Sequence, residues 1–432
     1  MSTKRFFGFL KASVMTMVLV GVFFQGLNLL MIPSVSADGE NWWIGSWGYR
    51  KLVTVNCSEV AGDLVNFPVL VYRASDSNLS GHAQSDGDDI CFILFSDNST
   101  QLNHEIENYT SATGMLIAWV NVTSLSDSVD TRFWMYYGNS GCGSQEDVAG
   151  TWDSNYLHVW HMNGGSPEVD SVHGDSGTVT GADIVTGKIG NGRGFVSGNS
   201  DYIDFGDMSQ PGDGSLTTAT FESWLYHNDA STSLVMNKYD TNAPAKRCYI
   251  WDVLNTDEKM RLVLYKDDAS AYWGYASNTG LDCISKWVHT TVSVNAATET
   301  CVFYVNGSSV AVTKIADAGV GPNVFLNSAV SETSGRQRNT GSTQYSTQSL
   351  DELRISKVQR SAAWVNTTYN TTAFPLVFHF FGDEEEPSSA GGGVVVVMHG
   401  RSGVWYLMLG GVGGVILIVG TVFLIRKRKN ES

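Results

Sequence analysis

The sequence predicts an all-β chain of two antiparallel β-sandwich domains, with a secretory signal before them and a transmembrane helix behind them. Three observations carry this. Short runs rich in β-branched and aromatic residues recur between residues 42 and 382, too short for typical helices and separated by clusters of Ser, Asn, Asp and Gly. The 432 residues are 43% hydrophobic with 45 Gly and only 8 Pro, which suits two or three packed cores and excludes disorder. Each end carries a long apolar segment next to basic residues. The net charge of -16 argues against nucleic acid as a partner, since binding phosphates needs a surplus of Lys and Arg.

At the N terminus, Lys4, Arg5 and Lys11 are the only charges before Asp38, Ala12 to Ile32 is uncharged, and Val35-Ser36-Ala37 offers small residues for cleavage. Residues 1–37 therefore read as a signal peptide; the length of the apolar part leaves an uncleaved signal anchor as the alternative.

Residues 42–150 form the first expected sandwich, with strands at Tyr49 to Val55, Phe67 to Tyr72, Ile90 to Phe95, Met115 to Val122 and Arg132 to Tyr137. Residues 151–382 repeat the style with longer loops. Phe221, Ser223 and Leu225 alternate with Glu222, Trp224 and Tyr226, so the two sets face opposite sides of a strand. Trp287 to Val294 and Cys301 to Val305 read as strands, and Asn306-Gly307 after the latter supplies a tight hairpin turn. Only Ser361 to Tyr369 has helical character in this half.

Residues 383–403 begin Asp383-Glu384-Glu385-Glu386-Pro387 and continue Ser/Gly-rich, as a tether. Val404 to Ile425 is 22 residues without a charge, about 33 Å as a helix, enough to cross a hydrocarbon core. Arg426-Lys427-Arg428-Lys429 makes residues 426–432 a basic cytoplasmic tail, with Trp405 and Tyr406 at the opposite interface. The expected protein is single-pass in the cell membrane with its bulk extracellular. Gly410 and Gly414 form a G-x-x-x-G, diluted by Gly411, Gly413 and Gly420.

Six cysteines, Cys57, Cys91, Cys142, Cys248, Cys283 and Cys301, allow disulfides outside the cell, with no pairing assigned. The strand register opposes Val294 to Cys301 and disfavours a Cys283–Cys301 bridge. Sequons at Asn56, Asn78, Asn98, Asn108, Asn121, Asn306, Asn366 and Asn370 are candidate glycosylation sites.

Trp42-Trp43, Trp47-x-Tyr49-Arg50-Lys51, Asn66-Phe67-Pro68-Val69, Asp88-Asp89-Ile90-Cys91-Phe92, His104-Glu105-Ile106-Glu107, Trp119-Val120 and Met135-Tyr136-Tyr137-Gly138-Asn139 together resemble an uncharacterised domain family of archaeal and bacterial surface proteins. Gly187-Lys188-Ile189-Gly190-Asn191-Gly192, Asp201-Tyr202-Ile203-Asp204-Phe205, Phe221 to Leu225, Trp287-Val288-His289, Phe303-Tyr304-Val305-Asn306-Gly307 and Leu350-Asp351-Glu352-Leu353-Arg354-Ile355-Ser356 resemble the concanavalin A-like lectin/glucanase superfamily, in its laminin G-like jelly-roll branch. That resemblance implies two sheets packed face to face, a glycan or protein ligand, and often a nearby calcium ion.

Calcium takes loop carboxylates, and Asp170, Asp175, Asp201 and Asp351 qualify, with Asp201 and Asp351 chosen as the metal candidates. His158 and His161, three apart on a strand, face opposite sides and do not share an ion. Glu105 and Glu107 read as a solvated strand face, and the adjacent Asp351 and Glu352 as pointing to opposite faces. Gly190-x-Gly192-x-Gly194 leads into a strand and reads as a turn, not a phosphate cradle. Asp86-Gly87-Asp88-Asp89 reads as a turn as well. No run of spaced carboxylates suits a retaining glucanase, so no catalytic residue is assigned and no enzyme is expected. The expected role is binding an extracellular glycan or surface protein. The alternatives are an envelope spacer without a ligand and a polysaccharide hydrolase.

Overall fold

β-Branched and aromatic runs become strands because their side chains fill a pleated, half-buried surface, and the computed structural model shows this within a residue or two of expectation. It describes residues 42–387, except 209, 212–213, 229–231, 242–246, 256, 267–270, 320–322, 327 and 340, and the backbone of 404–411 and 414–421. The expected signal segment, the basic tail and most of the tether lie outside the described residues. Trp43–Pro387 forms one unit.

The first sandwich pairs a three-stranded sheet, Phe67–Arg73, Met115–Val122 and His104–Thr110, with a five-stranded one. Val69, Val71, Phe92, Val120, Phe133 and Met135 fill the core between them. The order of the larger sheet is His379–Glu385, Tyr49–Val55, Thr131–Tyr137, Cys91–Leu94, Gln101–Leu102, so its edge strand comes from beyond the second domain. This corrects the boundary at residue 382 and the start of the tether. The acidic run continues the strand because its charges find partners: Glu385 meets Arg50 at 2.8 Å, and Glu384 accepts from the Tyr137 hydroxyl and the Asn78 amide at 2.6 Å.

The second sandwich packs nine strands against eight, with Phe205, Val235, Trp251 and Leu262 from one sheet meeting Phe221, Leu225, Val292, Phe303 and Leu353 from the other. Asn306 and Gly307 adopt φ of 48° and 75°, the left-handed turn that their sequence favours. The helix Ala362–Ala373 is capped by Ser361, whose side chain accepts from the Trp364 amide. It joins both domains: the Trp224 indole donates to Thr372 at 3.1 Å, while Thr367 and Thr371 accept from the amides of Ala61 and Leu70.

Val404–Gly411 and Gly414–Thr421 pair antiparallel, Val404 opposite Thr421 and Gly411 opposite Gly414. The structure thus has a hairpin where the sequence predicts a transmembrane helix, in a stretch rich in β-branched residues. Among the described residues no helix is long and apolar enough to cross a membrane.

Candidate functional site

Glu105 and Glu107 do not face solvent. The strand His104–Thr110 is bulged between Ile106 and Asn108 and turns both carboxylates toward the second domain. There, His161 Nε2 lies 3.3 Å from Glu105, and its Nδ1 lies 3.5 Å from Glu107 and 2.8 Å from Glu352. Glu105 also accepts from the Trp152 indole, and Glu107 from the Trp119 indole and the Asn163 amide. Burial pushes the Glu107 carboxyl up to about 8 against the pull of His161. Three carboxylates raise His161 well above the ordinary imidazole range despite its burial. The two share a side as their spacing predicts, but that side is covered by another domain and is not a solvated face.

Asp351 and Glu352 also depart from simple alternation. Glu352 takes φ of 52° where the register shifts between Glu222 and Trp224, a bulge that brings the two neighbours into one electrostatic network. Arg354 ion-pairs with Glu352 and lies 3.5 Å from Glu222, its guanidinium over the rings of Trp119 and Trp152. Asp351 accepts from the Ile189 amide at 2.8 Å, and burial, then Glu352 and Glu107, drive its carboxyl well above the usual range.

A cleft of about 580 Å³ runs along this junction, lined by Glu105, Glu107, His161, Glu168, Asp170 and His173 among others. At its rim Asp170 opens a hairpin turn that Asp175 closes, the Asp170 amide donating to the Asp175 carbonyl at 2.8 Å. His158, Asp170, His173 and Asp175 bring four potential ligand atoms within 4.8 Å of one another. His158 and His161 thus serve separate clusters, as strand parity requires. The second cluster, Glu107, His161 and Glu352, has the same spread, but the neighbouring Arg354 supplies its positive charge.

A second cleft, about 380 Å³, lies on the outer face of the eight-stranded sheet. Tyr226 and Trp287 sit opposite each other in register, ring centroids 5.6 Å apart and nearly perpendicular, on the face that also carries Glu222 and Trp224. Asp183, Thr186, Asn228 and Ser349 line it beside them. The alternation of Phe221 to Tyr226 located this face; nothing local in sequence brought Asp183 to it.

Asp201 and Asp351 are not brought together, and neither joins a cluster of three or more metal-ligating groups among the described residues. Asp201 closes a turn by accepting from the Val196 amide at 2.9 Å. Gly190 makes the expected turn at φ 57°, while Gly192 and Gly194 lie in the strand Asn191–Phe195, where a Cβ on Gly194 would come within 2.7 Å of Val185. All six cysteines are free, and Cys301 pairs with Val294. The side-chain amides of Asn78, Asn121, Asn366 and Asn370 donate to Glu384, Gly150, Gly307 and Glu59. Asn56, Asn98, Asn108 and Asn306 remain the better-placed sequons, Asn306 being exposed.

Residues 86–159 match a domain of unknown function (DUF2341), and residues 197–366 match the concanavalin A-like lectin/glucanases superfamily. No curated protein matches the chain. Among solved structures, it is similar to domain 4 of AbnA, a GH43 extracellular arabinanase from Geobacillus stearothermophilus in complex with arabinotriose, at 17% identity and TM-score 0.38, over 50% of this chain and 98% of that one. Trypanosoma rangeli sialidase in complex with a difluoro-KDN is similar at 14% identity and TM-score 0.38, over 59% of this chain and 42% of that one. The binding domain of botulinum neurotoxin DC in complex with SialylT is similar at 10% identity and TM-score 0.36, over 51% of this chain and 52% of that one. The chain thus spans about half the length of the latter two. In chain order, the protein carries a segment similar to a domain of unknown function (DUF2341) followed by one similar to the concanavalin A-like lectin/glucanases superfamily.

Proposed function

We propose that this chain is a non-catalytic protein displayed outside a cell membrane, and that its jelly roll binds a glycan. The observation that carries this reading is the Tyr226–Trp287 pair in a cleft that also offers Asp183, Thr186, Asn228 and Ser349. Sugars present apolar C–H faces to aromatic rings and hydroxyls to planar carboxylates and amides, and such a lining supplies both. A non-catalytic reading is supported by the acidic junction, where both oxygens of Glu107 are held by Trp119 and Asn163 and its side chain is fully buried.

Membrane display is supported by the uncharged run from Val404 to Ile425 and the basic cluster after it, and secretion by residues 1–37. Calcium is proposed at Asp201 or Asp351, each with one buried carboxylate oxygen that lacks a hydrogen-bond partner; the two lie apart, so an ion at either would draw its remaining oxygens from backbone and water.

A glycan array probed with the detergent-solubilised full chain tests the reading, with and without calcium. Binding to a defined glycan that Trp287→Ala weakens about tenfold, a loss of about 1.4 kcal/mol, is the expected result. Absence of any bound glycan, or binding indifferent to that substitution, would favour a spacer role for both sandwiches.

A further inference from the structure

We propose that His158, Asp170, His173 and Asp175 form a site for a first-row transition-metal dication of the zinc class, at the rim of the junction cleft and separate from the aromatic cleft. The donor set points to this metal class: two imidazoles and two carboxylates suit zinc and its neighbours, whereas calcium takes six to eight oxygens. The spacing agrees. Ligands about 2.0–2.1 Å from a tetrahedral ion lie about 3.3 Å from one another. The Oδ2 of Asp170 is 3.1 Å from His158 Nδ1 and 3.4 Å from His173 Nδ1.

Hydrogen-bond bookkeeping at His158 gives an independent reason. Its Nε2 lies 3.0 Å from the Gln210 carbonyl, which only accepts, so that nitrogen carries a proton. In the neutral ring Nδ1 is then a lone pair, and it faces the Asp170 carboxylate, another acceptor, in a buried position. Either a proton on Nδ1 or a metal cation in its place reconciles these acceptors, and a carbonyl holding the far nitrogen is how ligating histidines are commonly oriented. The turn is built in advance: Asp170 is held by the amides of Val159, Val172 and His173, and Trp160 stacks on His158 at 4.9 Å. His173 and Asp175 are exposed, so an ion can enter from the cleft side.

The test uses the full chain in detergent, stripped with chelator and titrated with zinc, or with cobalt(II) for its visible absorption. The expected result is a single ion per chain, a cobalt spectrum of tetrahedral nitrogen and oxygen ligation, and a raised melting temperature. His173→Ala and Asp175→Asn, both at exposed side chains, should each weaken zinc at least about tenfold while leaving the metal-free melting temperature unchanged. Excess calcium should not displace cobalt. The proposal is overturned by a stripped wild type that takes up neither ion, by uptake equal in both variants, or by displacement of cobalt by calcium.

Discussion

Arg354 shows how much one side chain carries at the junction. It is 2% exposed, ion-paired to Glu352, near Glu222, and stacked over two tryptophans. Replacing it by Met keeps most of the volume and strands two buried carboxylates, so Arg354→Met should destabilise the protein by about 3–5 kcal/mol, read as a fall in melting temperature. An unchanged melting temperature would mean the acids are satisfied by His161 and His289 alone. Residue parity, read from sequence, separated His158 from His161 correctly and placed Trp224 with Tyr226. It misplaced Glu105 and Glu107, because alternation says which side of a strand a group takes and nothing about what covers that side. Glu352 escaped it for another reason: a bulge residue breaks the period of two on which the rule depends.

At the scale of elements, most strands of the first domain and the hairpin at Asn306-Gly307 were legible, since each rests on local composition. The edge strand His379–Glu385 was not, because its acidic sequence reads as a tether until Arg50 and Tyr137 are placed opposite it. Deleting residues 379–387 should expose the edge of Tyr49–Val55 and leave the first sandwich without its outer strand. The expected outcome is aggregation in size-exclusion chromatography, as free strand edges promote. A monomeric, cooperatively melting variant would show the strand to be dispensable. The hairpin Val404–Thr421 raises a different question, because two strands leave rows of unpaired backbone groups that hydrocarbon cannot satisfy. A peptide of residues 401–428 in lipid vesicles should therefore turn helical, as measured by circular dichroism. A persistent β spectrum of the monomeric peptide would remove the single-helix anchor.

For the whole molecule, the junction predicts how stability follows pH. Glu107 and His161 both have raised folded-state pKa values, so their contributions are present at low pH and are lost as pH rises. For Glu107 the loss runs from its ordinary value of 4.5 to about 8, and His161 adds to it above 6.5. Glu332, buried against Lys238 and also pushed to about 8, acts in the same direction. Glu352 is lowered, so its contribution is lost instead as pH falls below 4.5. His104 and His379, held down to about 4 by burial, oppose this loss between about 4 and 6.5, so melting temperature should fall most steeply from about pH 6.5 toward 9, and Glu107→Gln should flatten that limb; a slope identical to wild type would place the titration elsewhere. The connectivity has a further consequence, for the order in which the protein can be completed. Because the chain leaves the five-stranded sheet at Thr131–Tyr137 and rejoins it only at His379–Glu385, the jelly roll is an insertion inside the first sandwich, and the first domain to be synthesised is the last to be finished. Arg50 must wait for its carboxylate partner, Glu385, 335 residues downstream. A protease nick in the connection near residue 145 would cut the covalent path between the domains without parting them, since the returning strand holds the jelly roll to the first sheet like a clasp.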